Sequence, residues 1–76
     1  MAITIIVNGK KEDAKAGMSV SELLAVKNIK PEVVTIEIND NILGRQKYSE
    51  TILQESDRIE FVYYMGGGVF RVKNSG

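Results

Sequence analysis

Arg58-Ile59-Glu60-Phe61-Val62-Tyr63-Tyr64-Met65-Gly66-Gly67-Gly68 is the stretch on which the reading of this chain turns. Ile59, Phe61 and Tyr63 alternate with Glu60, Val62 and Tyr64, the period of two that marks a strand with one buried face. Three glycines follow at once. Glycine loses the most backbone freedom on folding, so three in a row cannot serve a core. They read as a flexible leash without Cβ atoms, able to enter a slot that rejects side chains and to reach about 10 Å when extended. A plain linker is the alternative reading.

Working outward, Ile3-Thr4-Ile5-Ile6-Val7 is β-branched throughout and predicts a first strand with Ile3, Ile5 and Val7 on one face. First and last strands each offer three inward apolar positions, which predicts that they lie centrally and side by side. Asn8-Gly9 signals a type I′ hairpin, and Lys10 to Lys15 reads as an edge strand guarded by Lys10, Lys11 and Lys15. Ser19-Val20-Ser21-Glu22 is a capping box, opening a helix over about Val20 to Asn28. Val20, Leu23 and Leu24 share its inner face with Ala25 at the margin, and Pro31 stops it.

Val33 to Asn39 predicts a strand with Val34, Ile36 and Ile38 inward, then a turn at Asp40-Asn41 and a short apolar pair, Ile42-Leu43. Tyr48, Ile52 and Leu53 are expected to pin an irregular stretch to the core before Ser56-Asp57 turns into the last strand. This order predicts an α+β fold: a mixed sheet of four to five strands, one face covered by one main helix and the other largely exposed. That is the β-grasp, ubiquitin-like arrangement. It fills residues 1–65, with 66–68 as the leash and 69–76 as a C-terminal extension resembling neither linker nor core.

Composition narrows the function classes. A chain of 76 residues is one small domain, and such domains bury only about 60% of their unfolded surface. There is no cysteine and no histidine, which removes disulfides, thiolate chemistry and the usual general base. Ten basic and ten acidic residues cancel, which disfavours nucleic acid as a partner. No segment has the ~20 apolar residues of a membrane span, and the first residues lack signal-peptide features, so a soluble, cytoplasmic domain is expected.

The residues that carry a family likeness are Val7-Asn8-Gly9, Ser19 to Leu24, Ile38-Asn39, Arg45 with Tyr48, Asp57-Arg58-Ile59 and the closing glycines. In this order and spacing, over about Ile3 to Gly68, the chain resembles the ThiS-type sulfur carriers of thiamine biosynthesis, relatives of the MoaD-type carriers of molybdopterin synthesis. Two departures stand out. Ser56-Asp57 replaces a frequent Gly-Asp, and eight residues follow Gly68 where such carriers end in Gly-Gly. Those residues are open to three readings: a precursor segment trimmed by a processing protease, a cloning remnant, or a chain that no longer acts as a carrier.

The resemblance implies a carrier and not an enzyme, with no bound cofactor and no metal. Gly68, backed by Gly67, would be adenylated by a ThiF-like, ubiquitin-activating-type enzyme that consumes ATP. A sulfurtransferase system would then supply sulfur, and a ThiG-like thiazole synthase would receive it. Docking would use Gly66, Met65, Tyr64, Val62 and Arg45, of which Tyr64 reads alternatively as a sheet-edge cap and Arg45 as an anchor of its own loop. The other function classes are a MoaD-type carrier and a β-grasp binding module whose glycines only link. Glu50, Glu55, Asp57 and Glu60 read as a solvated face.

Overall fold

The computed structural model describes residues 1–65 and 68–72, the stretch from Tyr64 onward as backbone alone. Strands β1 (Ala2–Val7) and β2 (Lys10–Lys15) lead into helix α1 (Val20–Val26). A 3₁₀ turn (Pro31–Val33), strands β3 (Val34–Ile38) and β4 (Asn41–Leu43), and a second 3₁₀ turn (Arg45–Lys47) follow. Strands β5 (Arg58–Met65) and β6 (Gly68–Val72) complete the order. The sheet runs β2-β1-β5-β3-β4, with β6 paired to β5. β1 and β5 are parallel and the other pairs antiparallel, so the sheet is mixed, in the β-grasp arrangement.

The first and last strands of the body lie side by side at the centre, for the reason the sequence suggests. Ile5, Val7, Ile59 and Phe61 supply the middle of the core, joined by Val34 and Ile36 from β3. Val20, Leu23 and Leu24 press the helix onto this face, and Tyr48 and Leu53 close its margin. Ala25 is exposed and takes no part. Ile52 is 42% exposed rather than buried, and it is its backbone that holds the stretch, through an antiparallel bridge to Ser19 beside the helix start.

Both ends of α1 are set by local chemistry. The Ser19 hydroxyl accepts from Glu22 N–H at 3.1 Å while the Glu22 carboxylate accepts from Ser19 N–H at 2.8 Å, the reciprocal box expected. The helix stops at Val26, before Asn28 and well before Pro31. Asn28 takes a left-handed φ of 62°, its N–H bonds Ala25 O, and Ile29 N–H reaches back to Leu24 O. That is a Schellman closure, and it ends the helix from within. Pro31 instead opens the next 3₁₀ turn.

Two further boundaries differ from expectation. Val33 belongs to the 3₁₀ turn, and the β3–β4 reversal uses Asn39-Asp40, with φ 51° and 72°, so Asn41 already pairs with Ile38. The body is the five-strand mixed sheet expected, and among the described residues Gly68 to Val72 add a sixth strand by pairing with β5. Gly68, expected as the end of a leash, opens that strand. Val69, Phe70 and Val72 are good strand formers, and they meet an unfilled edge of β5. Gly66 and Gly67 lie outside the described residues.

Candidate functional site at the end of β5

β5 is held from both sides, but unevenly. On one edge β3 pairs from Ile38↔Ile59 to Val34↔Tyr63. On the other, β1 pairs only through Ile6↔Arg58 and Val7↔Ile59 before its hairpin turns away. Ile6 N–H donates to Asp57 O and Asn8 N–H to Ile59 O, both at 2.8 Å. Asn8 then supplies one more rung with its side chain, whose Oδ1 accepts Phe61 N–H at 2.9 Å. The left-handed φ of 50° at Asn8, with Gly9 at 87°, turns the hairpin while aiming that amide at β5.

The start of β5 is equally anchored. Asp57 accepts from Gln54 N–H at 2.8 Å and from the Asn39 side-chain amide at 3.0 Å. Asn39 Oδ1 accepts Arg58 N–H in turn, at 3.0 Å. Glu55 accepts Thr4 N–H at 3.0 Å. Asp57 and Glu55 therefore brace the turn rather than wait for a substrate. Beyond the family likeness, sequence reasoning treated Asn8 as a turn residue and Asn39 as the end of a strand. Their side-chain bonds leave no spacing signal, beyond the fact that asparagine tolerates left-handed backbone and carries both donor and acceptor.

The expected docking residues separate. Val62 lies off the helix-covered core, as alternation requires, yet it is only 7% exposed. It sits in mid-sheet between Thr35 of β3 and Arg71 of β6 in the register, so it is not an open contact residue. Ile6, Thr35, Glu37 and Glu60 on the same face are half-buried, so the second face is less open than expected. Tyr64 and Met65 close β5 opposite Val69 and Gly68. Arg45 donates a long bond of 3.5 Å to Glu32 O, and the turn containing Glu32 precedes Val34, the partner of Tyr63. Arg45 is thus tied to the same end of the sheet from which the glycines leave.

Ile6, Gly9, Asp40, Arg58, Ile59 and Glu60 line a shallow hollow of about 80 Å³. Small-molecule sites usually measure about 300–1,000 Å³, so this hollow does not enclose a substrate. Among the described residues, no three of Asp, Glu, His or Cys cluster to hold a metal. None of their helices is long and apolar enough to cross a membrane. What the geometry offers is a rigidly held strand that delivers the chain, at its C-terminal end, to three glycines.

The ThiS family profile matches residues 3–68, from the first strand to the third glycine. The chain belongs to the ThiS family. It is 35% identical over 63 residues to the sulfur carrier protein ThiS of Bacillus subtilis, covering 82% of this chain and 96% of that one. The crystal structure of the thiamine biosynthesis protein ThiS from Geobacter metallireducens superposes with a TM-score of 0.74 at 38% identity. That likeness covers 87% of this chain and all of the other. A thiazole synthase of Magnetococcus marinus is 39% identical over 64 residues, 84% of this chain but 20% of its own. The chain therefore spans about a fifth of the length of the thiazole synthases it matches.

Proposed function

We propose that this chain is a sulfur carrier of thiamine biosynthesis, working through the α-carboxylate of Gly68 once that carboxylate is exposed. The observation that carries the reading is the position of the glycines: the family match ends on the third, directly beyond a strand locked on both edges. A carboxylate is a poor electrophile, so a ThiF-like activating enzyme first uses ATP to make the acyl-adenylate. The outer sulfur of a sulfurtransferase persulfide then displaces AMP to form an acyl disulfide, and a thiol attacks the sulfurtransferase sulfur, breaking the S–S bond so that the thiol ends as a disulfide and Gly68 as a thiocarboxylate. The chain itself has no cysteine to hold sulfur and no histidine base, which suits a protein substrate and carrier better than an enzyme.

The thiazole branch is supported over molybdopterin by the names of the relatives. A thiazole synthase as acceptor of the sulfur is supported by matches that lie within such synthases. Gly66 and Gly67 serve as the side-chain-free approach, and Met65, Tyr64 and Arg45 flank it for docking. Dependence on ATP would suit work in the cytoplasm.

Intact-mass spectrometry tests this. The chain ending at Gly68, and separately the full chain, are incubated with ATP, a cognate activating enzyme and a sulfur source. Replacement of one oxygen by sulfur on the shorter chain alone is the expected result. No replacement on either, with the enzyme active on its own carrier, defeats the proposal and favours a binding module.

A further inference from the structure

The two edges of β5 part company at Phe61. β3 covers one edge as far as Tyr63, whereas β1 and the Asn8 side chain cover the other only as far as Phe61. Ile59 accepts and Phe61 donates toward the β1 side, so alternate residues of β5 point their N–H and C=O groups that way, and Tyr63 and Met65 continue the series. β6 lies along this continuation, antiparallel, from Phe61↔Val72 to Met65↔Gly68. Residues facing each other across that edge are hydrogen-bonded pairs, so Tyr63 pairs with Phe70 and Met65 with Gly68 in the ladder. Gly68 itself is thereby part of the sheet. The segment responsible, Val69–Val72, lies beyond the region that matches the family.

We propose that Val69–Val72 is an intramolecular blocking strand, which closes the β5 edge and holds Gly68 in the ladder until the tail is cut off. The proposal rests on the carrier reading of Gly68. While β6 is paired, the glycine is not a free arm and cannot enter a partner's active site. Release is a hydrolysis by a peptidase: water oxygen bonds to the Gly68 carbonyl carbon, and the C–N bond to Val69 breaks. Gly68 leaves as a carboxylate and Val69 takes the proton as an amine. A five-residue strand held on one edge is only marginally stable alone, so the block opens readily enough for cleavage.

Backbone amide exchange, followed by NMR, tests the block without any sulfur chemistry. Three chains are compared: the full chain, the chain ending at Gly68, and the full chain carrying Phe70→Pro, which removes the donor facing Tyr63. The shorter chain is expected to fold, since a ThiS of matching extent does and the core of the described side chains is complete within residues 3–63. Tyr63 and Met65 amides should exchange at least about tenfold more slowly in the full chain than in either other form. Phe61, capped by Asn8, and Val62, facing β3, should stay protected in all three and report an intact body. Equal exchange at Tyr63 and Met65 in the full and shortened chains overturns the blocking strand. Sulfur loading of the shortened chain is read separately, so either idea can fail while the other stands.

Discussion

Single residues in unusual backbone conformations carry much of this molecule. Ser56 has a φ of 69° in the turn before β5, where the family pattern often has glycine. Left-handed backbone costs a non-glycine residue about 1–2 kcal/mol, while a glycine gives back roughly 0.5–1 kcal/mol in lost chain entropy. Ser56→Gly is therefore expected to stabilise the fold by about 0.5–1 kcal/mol, read as a higher urea midpoint at unchanged m-value. A lower midpoint would show that the serine makes up for its backbone strain. Asn8 is the contrasting case, since its left-handed φ comes with a side-chain bond to β5 that glycine could not make. The Asn-Gly pair was legible as a turn, but the extra rung was not, because the partner at Phe61 is 53 residues away.

At the level of elements, α1 is a seven-residue helix, too short to stand without its ends. Ser19 is buried at the cap, and Ser19→Ala should cost about 1 kcal/mol in thermal or urea unfolding, with Ser19→Asp recovering most of it. A loss too small to measure would mean that burial of Val20, Leu23 and Leu24 alone sets the helix start. The Lys27–Glu12 pair at 2.9 Å ties the other end to β2, but both side chains are near 30% exposed, so it adds little. The capping box was readable because its partners lie three residues apart. The C-terminal closure was misassigned to Pro31 because asparagine at a left-handed C-cap is a weaker signal than glycine.

Across the whole molecule, one apolar layer between sheet and helix has to stabilise everything, because no disulfide is available. At roughly 0.05–0.15 kcal/mol per residue, total stability is of the order of 4–11 kcal/mol. Phe61 is the largest fully buried side chain among the described residues, and Phe61→Ala should cost about 3–5 kcal/mol. Circular dichroism is expected to show that variant largely unfolded or melting far earlier, and a near-native melting curve would place the critical packing elsewhere. The sequence by itself determined which residues alternate, where the helix begins, that β1 and β5 share the centre, and that glycines leave β5. Most of those features are local in chain distance and follow from period, capping and turn chemistry, while the central place of β1 and β5 follows from the three inward apolar positions that each offers. Only the tertiary structure decided that Val62 is enclosed, that Asn8 extends the ladder, and that Gly68 to Val72 complete an edge. Each of these depends on which strand edge remains open after distant strands have paired, a quantity no short window of sequence contains.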